Sequence, residues 1–373
     1  MSTLIAHGGG PTAVLNASLA GVIDAWQGPA PLMGARFGVD GILKEDFVPL
    51  ETMQDLKDSP GSALGSSRRK LTDEDLARIL EIFRRRGIHH FFYTGGNGSM
   101  ETALRLSQLD PNLQVIGIPK TIDNDLAETD HTPGYPSAAR FFIHAARDAG
   151  EDNRSLPSPI CVLEVLGRNT GWIAAATSLA RYYPDDAPHL IYFPEQPVTL
   201  DQIAADVERV YARLGRCFLV ACEGQVDPDG NPFGADVDRP DSEVHRLASN
   251  LGHTLAHLLT AKLGIRARAE KPGLVGRSSA ALASDVDREE SYACGQAAVA
   301  AMNAGETGKM VTLHRLSNVP YLCETGLRDL ACAARIERPV PAQWITGEAN
   351  NVAGHFRDYL KPLIGEIRHW RRI

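Results

Sequence analysis

Short apolar runs that stop at a glycine-rich or charged turn, each leading into an amphipathic stretch, recur along this chain and restrict it to one class of fold. The runs are TLIA (3–6), HFFY (90–93), VIGI (115–118), ICVLEV (160–165) and CFLVA (217–221), and the amphipathic stretches include 73–86, 137–149, 200–214 and 241–263. Continuous apolar strands alternating with helices suit a sheet buried on both faces, so the expectation is α/β with open, mostly parallel sheets. At 373 residues the chain exceeds one core, and two domains are expected. The polar stretch 151–159 breaks the alternation and reads as the crossing between two such sheets. The expected domains are 1–150 with part of 280–345, 151–280, and 346–373 as a C-terminal extension. Segment 227–240, rich in Asp, Pro and Gly, reads as a surface loop.

Charge and composition narrow the partners. A formal net charge of -8 disfavours nonspecific attraction to nucleic acid or anionic lipid, which needs a surplus of Lys and Arg. No run approaches the roughly 20 apolar residues of a membrane span, and the start MSTLIAHGGG lacks a basic region before an apolar one. The six cysteines, at 161, 217, 222, 294, 323 and 332, show no CxxC pair and read as buried free thiols of a reducing compartment. The expected location is the cytoplasm.

In an open α/β sheet, ligands bind where strands end and helices begin, because the free N–H groups of a helix N-terminus attract anions. HGGGPT follows the first run, and TGGNGSMETA follows HFFY, with Ser99 expected to cap the helix it opens. Two such turns suggest one polyphosphate held by both, although a single glycine-rich turn is as often only a tight turn. GIPKTIDNDL then brings Lys120 and Thr121 beside two carboxylates, Asp123 and Asp125. One carboxylate can take a proton from an attacking hydroxyl while the other holds Mg²⁺, and Lys120 can neutralise a transferring phosphoryl group. Taken alone, Asp and Asn clusters of this kind are more often solvated turns. Arg168 in EVLGRNTGW and Glu223 in ACEG follow apolar runs in the second half, where a guanidinium can grip a phosphate bidentately and a carboxylate can accept from sugar hydroxyls. SRRK (67–70) and KPGLVGRSS, with Lys271 and Arg277, are further basic groups.

In this order the segments resemble the phosphofructokinase family over residues 8 to about 295, with PKTIDNDL, GGNGSMETA and EVLGRNTGW the most specific. The resemblance implies two Rossmann-like three-layer α/β/α domains with mostly parallel sheets and the active site in the cleft between them. It implies a donor domain at 1–150 and a sugar-phosphate domain at 151–280. The reaction implied is Mg²⁺-dependent phosphoryl transfer to the C1 hydroxyl of fructose 6-phosphate, in a homodimer or homotetramer. Position by position, Gly10, Arg68, Gly95, Gly96, Asn97, Gly98 and Ser99 would contact the donor. Asp123 would be the base, aided by Lys120 and Thr121; Asp125 and Asn97 would hold the metal. Arg168, Glu223, Arg268, Lys271 and Arg277 would grip the sugar phosphate.

The chain departs from the family at three places. Asn97 stands where an Asp is common, which moves metal binding onto Asp125. Pro159 stands where relatives carry a basic residue that reaches the sugar phosphate of an adjoining subunit. Relatives that use pyrophosphate resemble this chain in HHFFYTGGN, in SDVDREESYACG and at Lys120, yet typically carry an Asp at the place of Gly98 that fills the space of an ATP α-phosphate. Gly98 leaves that space open, which tilts the expected donor to ATP, with pyrophosphate as the alternative. A non-catalytic sugar-phosphate-binding subunit and a lipid or dinucleotide kinase are the rival classes. The former would bind fructose 6-phosphate without turnover, and the latter would phosphorylate no sugar phosphate.

Overall fold

The computed structural model describes residues 2–51, 55–156, 160–233, 250–347 and 350–369. The chain divides into two compact units, residues 1–138 with 277–338 and residues 139–276 with 339–373. In chain order the strands are β1 (Ser2–His7), β2 (Leu32–Ala35), β3 (Phe47–Pro49), β4 (Ile88–Gly95), β5 (Gln114–Pro119) and β6 (Ile160–Val165). They continue with β7 (Leu190–Tyr192), β8 (Cys217–Cys222), β9 (Ala267–Glu270), β10 (Lys309–Asn318) and β11 (Tyr321–Asp329).

The first unit is built on a 7-stranded sheet in the order β11-β10-β5-β4-β1-β2-β3. Its central neighbours run parallel, and β3 and β11 close the two edges antiparallel. After β1 the chain builds β2 and β3 on one side, then returns to place β4 on the other. The switch point between β1 and β4 is where a doubly wound sheet opens its crevice. Side-chain alternation covers both faces: Leu4, Ala6, Phe91, Tyr93 and Val115 pack into one core, Ile5, Phe92, Ile116 and Ile118 into another. The expected three layers are thus present in this unit.

One helix shows how the sequence sets its ends. In Asp73–Arg86, Thr72 and Asp75 form a capping box, acidic residues fill the first turn and arginines the last, and Gly87 closes it at φ 64°.

The second unit holds a 4-stranded parallel sheet in the order β7-β8-β6-β9. Ile160, Val162, Cys217, Leu219 and Ala221 pack on one face with residues of the helices Leu200–Leu214 and Leu251–Leu263. Leu163, Ile191, Phe218 and Val220 are buried on the other. Arg168 and Glu223 follow the carboxyl ends of the adjacent strands β6 and β8.

The division corrects the expected boundaries at two points. The first unit ends at residue 138 rather than 150: the division falls near the start of the helix Tyr135–Ser155, most of which belongs to the second unit, and that helix ends within the polar stretch. Residues 346–373 belong to the second unit rather than forming an extension. There the helix Gly354–Ile364 buries Phe356, Leu360, Leu363 and Ile364 and packs Phe356 and Tyr359 near Trp172. Cys332 is also exposed, and Cys323 only half-buried, while the other four cysteines are buried as expected. Pro159, residues 241–249 of the amphipathic stretch 241–263 and residues 234–240 of the loop 227–240 lie outside the described residues. Among the described residues no helix is long and apolar enough to cross a membrane.

Candidate functional site

Three turns meet at the carboxyl ends of β1, β4 and β5 in the first unit. The turn after β1 and the turn after β4 pack without room for a side chain at either glycine. A Cβ on Gly8 would lie 2.2 Å from Ser99 Oγ and 2.8 Å from Tyr93 Oη, and one on Gly95 would lie 2.1 Å from Ser99 Oγ. Gly8 N–H donates to Thr94 O at 2.8 Å, fixing the two turns together. The β5 turn joins them through Lys120, whose N–H donates to Gly95 O and whose buried ammonium donates to Gly8 O at 2.7 Å and Gly10 O at 2.8 Å.

Cationic side chains gather around Gly10. A Cβ there would lie 2.9 Å from Arg277 Nη1 and 3.2 Å from Arg68 Nη2, so only glycine lets both guanidiniums approach the backbone this closely. Arg68 is delivered by a bridge that pairs Gly8 with Ser67 and by Gly9 N–H donating to Ser67 O. Arg277 was grouped with the sugar-phosphate residues on sequence; the structure brings it to Gly10, within the first unit. Nothing in the sequence signals that approach across such a separation.

Beside this cluster begins the helix Asn97–Leu109. Its N-cap is Gly96, with no side-chain cap and no acidic residue in the first turn. Ser99 therefore does not cap the helix as expected: it is buried inside the first turn, committed to packing against Gly8 and Gly95. The N–H groups of such a terminus attract an anion. Gly98 is exposed, and a Cβ on it would meet nothing within 4 Å.

The carboxylates stand on a braced loop. Thr121 Oγ1 accepts the Asp123 N–H at 3.1 Å, and Asn124 takes the left-handed backbone at φ 55° between the two acids. Arg338 donates to Asn124 O and to the carbonyls of Thr129 and Asp130. Buried Asp287 accepts the N–H groups of Gly134 and Ser137 and the Ser137 hydroxyl. Burial pushes the Asp287 carboxyl up to about 6, against these hydrogen bonds. Sequence reading missed both as supports: no motif marks Arg338, and Asp287 lies in SDVDREESYACG, a segment that carried the family resemblance without showing what its acids hold.

Asn97 Nδ2 donates to Asp125 Oδ2 at 3.0 Å, while Asn97 Oδ1 and Asp125 Oδ1 are both buried with no hydrogen-bond partner. Two orphan oxygens on side chains that are themselves hydrogen-bonded to each other fit a hard cation. Mg²⁺ typically takes one or two protein carboxylates and completes its shell with water and phosphate oxygens, so a larger acidic cluster is not required. Among the described residues no group of three or more His, Cys, Asp or Glu could hold a metal.

His7 ends β1 under this site. Burial first, and then the charge of Lys120, lower its pKa to about 3, so the ring is neutral and hydrogen-bonds Ser62 Oγ at 2.8 Å.

The remaining sequence-derived residues lie in the second unit. Arg168 takes φ 52°, and its N–H donates to Glu223 Oε1 at 3.3 Å. Burial is the largest influence on Glu223 and raises its pKa above the usual carboxylate range. Arg268 lies on β9 opposite Cys161. Lys271 forms a 2.7 Å ion pair with buried Glu164.

The sequence profile of the family described as phosphofructokinase matches residues 2–302. A pyrophosphate–fructose 6-phosphate 1-phosphotransferase of Rhodospirillum rubrum is 37% identical over 381 residues, covering 97% of this chain and 94% of its own. A protein of the same name from Halomonas elongata is 35% identical, covering 96% of this chain and 90% of its own. A crystal structure of a pyrophosphate-dependent phosphofructokinase from Nitrosospira multiformis superposes with a TM-score of 0.88 at 33% identity, covering 100% of this chain and 94% of that one.

Proposed function

The chain belongs to the phosphofructokinase family, and from that premise we propose that it transfers a phosphoryl group from inorganic pyrophosphate to the C1 hydroxyl of fructose 6-phosphate. The products are fructose 1,6-bisphosphate and orthophosphate. Membership makes it a phosphotransferase acting on a sugar hydroxyl; the donor and the residue roles are our reading. The observation that carries it is the gathering of Lys120, Arg68 and Arg277 on Gly10 beside an uncapped helix N-terminus. Three cationic side chains so placed match linked phosphates in both number and spread.

Pyrophosphate replaces the tilt toward ATP because the relatives that align over nearly the whole chain carry that donor in their names, whereas the tilt rested on Gly98. The open space at Gly98 is the observation that keeps ATP as a second reading.

In this mechanism Asp123 takes the proton of the C1 hydroxyl as its oxygen attacks phosphorus in line with the leaving phosphate. Lys120, Arg68, Arg277 and the N–H groups of the Asn97–Leu109 helix hold the donor oxygens, so positioning and charge neutralisation do most of the work. Asn97 and Asp125 would hold Mg²⁺, which supplies further neutralisation of phosphate charge when bound. Arg168 and Arg268 are assigned to the sugar phosphate, and Glu223 to the sugar hydroxyls. Lys271, committed to Glu164, drops out of that set. A homodimer or homotetramer is the expected assembly.

Initial rates with fructose 6-phosphate, Mg²⁺ and either donor test the reading. Turnover with pyrophosphate and little with ATP is expected. Turnover with ATP alone would overturn the donor assignment, and none with either would overturn the function.

A further inference from the structure

The loop that carries Asp123 and Asp125 continues into a buried charge cluster that the transfer chemistry does not use. His131 is fully buried, with Nδ1 2.8 Å from Asp130 Oδ2 and Nε2 2.7 Å from Glu290 Oε2. A neutral imidazole has one N–H, so one of these contacts would set a nitrogen lone pair against a carboxylate oxygen. Only the imidazolium donates to both. The carboxylates are held in turn: Asp130 Oδ2 accepts from Arg315 Nε and Nη2 on β10, and Glu290 Oε1 accepts the Tyr321 hydroxyl of β11 at 2.6 Å. Glu290 itself belongs to the helix Asp285–Asn303.

The backbone around His131 reaches the catalytic turn through short links. Thr132, next in the chain, donates its N–H to Asn124 Oδ1 at 3.0 Å and its hydroxyl to Thr121 O at 2.8 Å. Thr121 N–H donates to Pro133 O at 3.2 Å. Thr121 and Asn124 bracket Asp123, so a shift at 131 is passed to the residues on either side of the base.

We propose that His131 is a positioning residue for phosphoryl transfer: its imidazolium, clamped between Asp130 and Glu290, ties the loop 120–134 to the helix Asp285–Asn303 and the β10–β11 hairpin and so holds Asp123 in register. The proposal rests on the reading of Asp123 as the base. The groups that face the ring or its two partners are Asp130, Glu290, Arg315, Tyr321, Cys323 and, from the start of the helix, Asp287. Burial alone would lower the His131 pKa. The hydrogen bonds and charges of Asp130 and Glu290 outweigh it and hold the ring at about 9. A folded-state pKa raised above the unfolded 6.5 stabilises the fold fully below pH 6.5, and that contribution is lost as pH rises through about 9.

The test compares the wild-type protein, His131→Gln, Glu290→Gln and the double variant, assayed with fructose 6-phosphate, Mg²⁺ and pyrophosphate. His131→Gln should lower kcat by about 10- to 100-fold while leaving both KM values within about twofold, the signature of misplaced chemistry rather than lost binding. The double variant should lose little more than His131→Gln alone, since both act through one clamp. In thermal unfolding, the advantage of wild type over His131→Gln should be present at pH 6 and fade as pH rises through about 9. An active wild type with unchanged kcat in His131→Gln overturns the proposal alone, as does a stability difference that ignores pH. No turnover by the wild type with either donor sinks the functional reading and this proposal together. Should His131→Gln not fold, Tyr321→Phe keeps every charge but removes one donor from Glu290. It should displace the alkaline limb of the kcat profile, and an unmoved limb counts against the clamp.

Discussion

At the scale of single residues, what distinguishes the site is how many side chains are fixed before any ligand arrives. The Lys120 ammonium is held by two glycine carbonyls and the Asn124 side chain by the Thr132 N–H, while Arg338 holds the Asn124 carbonyl and a bond to Thr121 fixes the backbone of Asp123. Removing the base from so rigid a frame should leave binding intact. Asp123→Ala is expected to lower kcat by about 10²- to 10⁴-fold with KM for both substrates little changed, measured by initial rates. A variant with near-normal kcat would refute Asp123 as the base. Gly98 offers the complementary test, because a Cβ placed there would meet nothing within 4 Å and a side chain can be added without a clash at the helix start. Gly98→Asp should depress any ATP-supported rate far more than the pyrophosphate rate; equal effects would discard the steric account of donor choice. The reactive residues were legible in the sequence because TGGNGS and PKTIDND place the needed types together at strand ends. Their supports were not: Asp287 and Arg338 reach the loop 120–134 from far along the chain, and only the fold brings them there.

At the scale of elements, the apolar runs and amphipathic stretches translated well into strands and helices. Residues 73–86 and 200–214 are helices over their full expected length, and 160–165 is β6. The β10–β11 hairpin escaped because its strands carry polar and charged residues along a half-exposed edge, where no continuous apolar run is required. The meeting of the β1 and β4 turns was foreseeable only as two glycine-rich motifs, yet their glycines have a specific steric cause. Gly8→Ala would drive a methyl into Ser99 Oγ and Tyr93 Oη, both on the rigid packing side of the site. It should destabilise the protein by about 1–3 kcal/mol in urea unfolding and raise KM for the donor, since overpacking displaces the turn. Ser99→Ala in the same chain removes one of the two clashing oxygens and should restore part of the loss. Wild-type stability in the single variant would mean that the turns are free to separate.

At the scale of the whole molecule, neither unit is a continuous piece of sequence: the chain passes from the first to the second after residue 138, returns at 277 and leaves again after 338. A boundary drawn from composition alone therefore mistook the last passage for an appendage, because 346–373 shows no motif and its role is packing. Phe356, Tyr359, Leu360, Leu363 and Ile364 are buried there, Trp344 and Trp172 pack in tilted and edge-on contacts with Phe356 and Tyr359, and Asn350 donates to buried Asp206 at 3.0 Å. At about 1.5–3 kcal/mol for each large apolar side chain, these residues contribute on the order of 10 kcal/mol, comparable with the whole stability of an ordinary domain. A chain ending at residue 345 should consequently fail to fold its second unit, seen as loss of the tryptophan environment of Trp172 in fluorescence and rapid cleavage of 139–276 by protease. Phe356→Ala, a gentler probe, should cost about 3–5 kcal/mol and lower Tm while leaving the first unit's donor contacts unaltered in sequence and chemistry. If the shortened chain melts where the full-length chain does, residues 346–373 are an appendage after all, and the second unit must be complete without them.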